Sequence, residues 1–328
     1  MPFIKLRTNR VSYEFNITQK YNLLVGDSGT GKTTLYSLVD EMNSNHNSVD
    51  CAGYSKVITD HQVINKSLSD FSNYVIILDE TSPLLHEPNS PTILEQSNNY
   101  FLIICRDVTL GYKSISLDCI FKLRTTGKFH YFERMYSIPE EMFDVSTVMC
   151  EDSNSGFQFL ENIFSEMYHV AFAKASKNDK TGGKAKIATC LYDYTGEKVC
   201  IVFDKCAIGY QFSGILESII RNKITACFID WDSFEAYILS SKIFDTKVPE
   251  PECNYESKEV LATEVLAKII PYNKHTLSKC LIEGKCYTCK DAYTCLYKHY
   301  SSNDLIYWKV KKLLDVHNAS SKDELEVK

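Results

Sequence analysis

A chain of 328 residues, 44% apolar and 24% charged, has room for two packed cores and is too hydrophobic to stay disordered. Its formal net charge of −6 excludes a generally cationic nucleic-acid binder, though not a local basic groove. The opening MPFIKLRTNR lacks the apolar centre of a secretory leader, and no run reaches the roughly 18 apolar residues of a membrane helix.

The 13 cysteines are therefore expected as reduced thiols in a cytoplasmic protein with no membrane partner. In chain order, FIKLR and VSYEFNI read as strands, and YNLLV runs straight into the loop GDSGTGKTT at residues 26–34. Residues 34–42 have helical spacing, with Leu35, Leu38, Val39 and Met42 on one face. YVIILDE and FLIICRD are continuous apolar runs, as expected of strands buried on both faces of a parallel sheet. Between them SPLLHEPNSP reads as a loop and ILEQSNN as a short helix. LDCIFKLRTTGKFHYFERMY then reads as two strands around a Thr-Gly-Lys turn.

A second α/β alternation follows. STVMCED, YHVAFAKA, KVCIVFD and TACFIDWD read as strands, separated by helices at GFQFLENIFSEM, GGKAKIATCLYDY and AIGYQFSGILESIIRN, a pattern that favours a mostly parallel sheet. FDTKVPEPECNYESKE looks like a linker. Helix candidates at residues 258–270 and 304–316 flank a cysteine cluster, and the last eleven residues are polar.

Gly26, Gly31, Lys32 and Thr33 satisfy G-x-x-x-x-G-K-[ST] between a buried strand and a helix. Glycines let successive backbone N–H groups curl around an anion, and the helix adds its positive end. On these residues the chain resembles the P-loop NTPases. The resemblance implies that Gly26, Asp27, Ser28, Gly29, Thr30, Gly31, Lys32, Thr33 and Thr34 bind ATP. It assigns Lys32 to the β- and γ-phosphates and Thr33 to Mg²⁺. Asp79 and Glu80, closing an apolar strand, resemble the Walker B end of the branch with a catalytic glutamate. Asp79 would then hold magnesium through water, and Glu80 would act as general base on the attacking water. Arg106 falls where such ATPases carry a γ-phosphate sensor. No LSGGQ-like signature precedes Asp79, and no helical lid is evident.

In the second segment Glu151, Asp204 and the Asp230-Trp231-Asp232 group end strands, with Glu235 opening the next helix. Strand C-terminal ends line one edge of an open parallel sheet, so these acids are expected to converge. The layout resembles a Toprim module, as in the overcoming-lysogenisation-defect ATPase-nucleases. That resemblance implies a second metal site at Glu151, Asp204 and Glu235. Asp204-Lys205-Cys206 lacks the second Asp of that family's pattern, and Asp152 stands where it has Gly.

Cys280, Cys286, Cys289 and Cys295 are spaced x5, x2 and x5, either as ligands of a structural zinc ion or as part of an unmetallated helical tail. KFHYFERMY and AYTCLYKHY are rich in aromatic side chains, either to stack bases or as half-buried residues of a sheet or helix, and KASKNDKTGGKAK, with five Lys in 13 residues, offers a phosphate contact or a solvated loop.

The expected organisation is an α/β protein: a P-loop ATPase domain at 1–140, a Toprim-like α/β domain at 146–245, a linker at 246–257 and a helical tail at 258–328. The function expected is Mg²⁺-dependent ATP hydrolysis coupled to action on nucleic acid, in a possible nuclease or defence role. Two alternatives stay open: a nucleotide-dependent switch or scaffold that recruits a protein partner, and a small-molecule phosphotransferase. Assembly as a homo-oligomer is compatible with each.

Overall fold

The computed structural model describes residues 2–44, 50–64, 66–106, 115–151, 171–174 and 183–234, together with 160, 236, 312–313 and 315–316. These fall into two compact units divided between Ser137 and Ile138. Among the described residues no helix is long and apolar enough to cross a membrane.

The first unit is built on nine strands: β1 (Phe3–Arg7), β2 (Ser12–Asn16), β3 (Tyr21–Val25), β4 (Asp50–Gly53), β5 (Val57–Thr59), β6 (Val75–Asp79), β7 (Tyr100–Cys105), β8 (Ile120–Thr126) and β9 (Phe129–Arg134). They form one sheet in the order β4-β1-β2-β9-β8-β3-β7-β6-β5. The five strands from β8 to β5 are mutually parallel. Their sequences are continuous apolar runs because both faces are covered: all six residues of β7 are buried. On one face helix α1 (Lys32–Asn43) inserts Leu35, Leu38 and Val39 among Leu24, Val75, Ile77, Leu102 and Ile104. Full burial of such a side chain contributes roughly 1.5–3 kcal/mol.

The sheet is mixed rather than wholly parallel. Beyond β8 the chain adds a wing in which β1–β2, β1–β4 and β8–β9 are antiparallel and β2–β9 parallel. Wing strands alternate: Ile4, Leu6, Tyr13, Phe15 and Phe132 face the core, and Phe15 stacks on Phe132 with centroids 4.4 Å apart. β4 and β5 have only four and three residues, too few to show a period in the sequence. SPLLHEPNSP is more ordered than a loop. It folds into a one-turn helix α2 (Pro83–His86), with Pro in the first turn where its missing N–H costs nothing, and then opens α3 (Ser90–Gln96).

The second unit carries a four-stranded parallel sheet of β10 (Thr147–Cys150), β11 (Ala171–Lys174), β12 (Lys198–Asp204) and β13 (Thr225–Trp231), ordered β11-β10-β12-β13. Helices α4 (Lys184–Cys190), α5 (Lys205–Ile208) and α6 (Gln211–Arg221) accompany it. Phe212 and Ile215 of α6 are buried, and Phe212 packs against Phe203 and Phe228 at 5.5 and 5.6 Å between centroids. All but Leu160 of the helix expected at GFQFLENIFSEM, the linker and almost all of the C-terminal tail lie outside the described residues.

Candidate functional site

The loop at residues 26–34 leaves β3 and enters α1 without a side-chain cap, so the first helical N–H groups face the loop. Gly31 stands at φ 98°, in the left-handed region that other residues avoid. A Cβ there would meet the Tyr13 hydroxyl at 3.2 Å and Leu123 at 3.4 Å. That hydroxyl donates to the Gly31 carbonyl at 2.9 Å, so the wing buttresses the loop from behind. Gly26 (φ 149°) brings its backbone close to the Lys32 ammonium, which a Cβ there would meet at an ordinary contact distance of 3.7 Å, at the rim of the concavity that the loop encloses.

Lys32, 7% exposed, folds back into that concavity. Its Nζ donates to the Gly26 carbonyl, to the Asp27 carbonyl at 2.8 Å and to the Thr30 hydroxyl at 3.2 Å. Burial holds its pKa below the ordinary lysine value. The acidic surroundings of Cys105, Asp27 and Glu80 oppose that shift, and Arg106 adds to it. All three ammonium donors are thereby taken up by neutral oxygens of the loop. Thr33 and Thr34 are exposed on the first turn of α1.

Register brings the acids to the same edge. Val25 pairs with Cys105 and Asp79 with Ile104, so β3, β7 and β6 end level, with β7 between the other two. Their ends and the loop enclose a cleft of about 410 Å³, lined by residues 27–34, 79–81 and 104–106. Asp79 is half-buried, and its Oδ1 accepts from the Thr81 N–H at 3.1 Å and the Thr81 hydroxyl at 2.8 Å. Glu80 is gripped by Arg106: Oε2 accepts the Arg106 backbone N–H at 2.9 Å, and Oε1 lies 3.1 Å from the guanidinium Nε. The Glu80 carbonyl lies 2.6 Å from His86 Nε2. The Arg106 side chain is 73% exposed, against 30% for Glu80.

At the corresponding edge of the second unit, Glu151 follows β10 and Asp204 ends β12. The Asp204 backbone N–H donates to Glu151 Oε2 at 2.9 Å. On β13, Asp230 is 5% exposed, and its Oδ2 lies 3.9 Å from Lys205 Nζ. Among the described residues no three His, Cys, Asp or Glu side chains come together as a metal site. Glu151 and Asp204 alone do not make a metal centre, and Glu235 lies outside the described residues. So do Cys280, Cys286, Cys289 and Cys295.

Three participants escaped the sequence reading. Tyr13, Thr81 and Lys205 carry no motif; Tyr13 reads only as one apolar position of an alternating strand, 18 residues from the glycine it supports. No protein-family model, no curated protein and no solved structure matches the chain significantly. The site's own chemistry therefore carries the functional argument.

Proposed function

We propose that the first unit is a P-loop ATPase core, binding ATP with Mg²⁺ and hydrolysing it. The observation that carries this reading is the Lys32 ammonium, drawn into a glycine loop at the same sheet edge as Asp79 and Glu80. The glycine loop, the uncapped amides of α1 and a desolvated ammonium suit a phosphate chain. Lys32 and the loop amides would hold the β- and γ-phosphates, and Thr33 and Asp79 the magnesium ion. Bound magnesium supplies charge neutralisation on the phosphate oxygens.

Glu80 takes the proton from the attacking water. To do so it exchanges Arg106 for water, and the exposed guanidinium is free to turn toward the transferred phosphoryl group. In titration calorimetry with Mg²⁺-ATP, Lys32→Ala is expected to weaken binding roughly 10- to 100-fold. Glu80→Gln should bind within a few-fold of the wild type and release phosphate roughly 100- to 10,000-fold more slowly. No binding heat from the wild-type protein, together with indifference to Lys32→Ala, would sink the proposal.

The second unit is proposed as a Toprim-like module, spanning 146–245, that acts on nucleic acid under control of the nucleotide. Incubation with plasmid and single-stranded DNA plus Mg²⁺ or Mn²⁺ tests it; cleavage that persists in Glu151→Ala removes the assigned site. A second reading, a nucleotide-dependent switch that recruits a protein, is favoured by one observation. The described acids at this edge already face protein donors: the Asp204 N–H on Glu151 and the Lys205 ammonium near Asp230. Nucleotide binding without turnover in either wild type or Glu80→Gln would select it.

A further inference from the structure

The wing of the first sheet has an outer face that the nucleotide proposal does not use. Alternation sends Ile4, Leu6, Tyr13, Phe15 and Phe132 inward, which leaves Phe129 and Tyr131 of β9 on the other side, 48% and 44% exposed. Two exposed rings, two residues apart on one strand, stand roughly 6–7 Å from each other along it.

Cations surround them. Tyr131 pairs with Glu14 on one side and Arg124 on the other, and Glu14 in turn pairs with Lys5. Glu14 is ion-paired with Lys5 and lies 3.8 Å from Arg7; Glu133 lies 3.1 Å from Lys122 and 2.6 Å from Arg124. Lys128 stands over the Phe129 ring at 5.6 Å. Five cations thus share the face with two carboxylates, on a chain whose net charge is −6. Beside Tyr131 a cleft of about 410 Å³ opens, with Phe3, Asn16 and Arg134 among its lining residues. It offers an aromatic wall and an amide, and its guanidinium is ion-paired with Asp118 at 2.9 Å, with Glu14 also in the lining.

Exposed rings on a sheet face, ringed by excess positive charge, suit a ligand with stacked planes and a phosphate backbone. A duplex keeps its base planes inside, where the rings cannot reach them; an unpaired strand presents them. A protein partner is the poorer fit, because three of the five cations are Lys, which protein interfaces deplete. We propose that the outer face of β1-β2-β9-β8 binds single-stranded nucleic acid, with Phe129 and Tyr131 stacking bases and Lys5, Arg7, Lys122, Arg124 and Lys128 tracking the backbone. Readout is by stacking and charge, so binding tolerates many sequences.

The experiment is fluorescence anisotropy of the full chain with labelled oligothymidine and oligouridine of about 15 nucleotides, and with a blunt duplex of the same length. Both single strands should bind more tightly than the duplex, and affinity should fall steeply with salt. Phe129→Ala and Tyr131→Ala should each weaken binding roughly 5- to 100-fold. Lys122→Gln with Arg124→Gln should flatten the salt dependence by about one to two phosphate contacts. Lys32→Ala should leave oligonucleotide affinity unchanged, which separates this proposal from the nucleotide site. Equal or tighter binding of the duplex would overturn it. So would full affinity in the folded Phe129→Ala/Tyr131→Ala protein, or size-exclusion evidence that this face pairs two copies of the chain and excludes the oligonucleotide.

Discussion

Two sheet edges in this molecule end in acids, and they differ in what holds those acids. At the first, Glu80 is held by both the backbone N–H and the guanidinium of Arg106, a residue on the surface whose side chain is 73% exposed. At the second, Glu151 is held by the main-chain N–H of Asp204, fixed at the end of a buried strand. A carboxylate whose partners are exposed can exchange them for water and be released for chemistry. Both acids accept a main-chain N–H, but the one on Glu80 is exposed and water can replace the carboxylate, whereas the Asp204 N–H is part-buried, so losing Glu151 strands a donor that the sheet has already placed.

The largest expected effect lies at the first edge. Arg106→Ala should lower phosphate release about 100-fold while ATP affinity changes only a few-fold, as befits a donor needed in the transition state. Unchanged turnover would reduce Arg106 to a surface charge. The two acids should also differ in stability: in urea titrations Glu151→Ala should cost about 1–3 kcal/mol, and Glu80→Ala under about 0.5 kcal/mol. Equal costs would erase the distinction.

Next comes Gly31→Ala, expected to destabilise by about 1–2 kcal/mol, because a Cβ is strained at φ 98° and crowds the Tyr13 hydroxyl. Tyr13→Phe in the same background should recover part of that loss if the hydroxyl is the obstacle.

The smallest effect is acid-dependent. Asp40 sits on α1, where burial alone would raise its pKa. Hydrogen bonds from Gln62 and Thr59, with His61 nearby, more than offset this and hold it below the ordinary aspartate value. Its stabilisation is therefore full above the unfolded-state pKa and disappears as pH falls through the lowered folded one. Asp40→Asn should destabilise by a few tenths to about 1 kcal/mol near pH 6, with the gap to wild type closing toward pH 3 in urea midpoints. A constant gap would show that the side chain acts through shape rather than charge.

How much could be read in advance follows the same logic. YVIILDE, FLIICRD and KVCIVFD were legible as buried strands because burial on both faces leaves no polar alternation. The hairpin of β8 and β9 was legible from alternation around Thr-Gly-Lys. The mixed wing was not, since β2 pairs with β9 across more than a hundred residues of chain and no local pattern marks such a partner. The four-residue β4 escaped because it is too short to show a period, and the one-turn α2 was hidden by Pro83 at its start and the prolines that follow it.

By itself the sequence determined the strand, the glycine loop, the lysine and the helix that follows, because backbone freedom and helical periodicity are properties of neighbours along the chain. Tertiary structure decided the rest: that β7 lies between β3 and β6, that Arg106 closes on Glu80 from 26 residues away, that Tyr13 backs Gly31, and that Phe129 and Tyr131 share a face with five cations. Those pairings depend on which distant segments pack together, and packing is set by the complementarity of whole surfaces rather than by the residues beside each one.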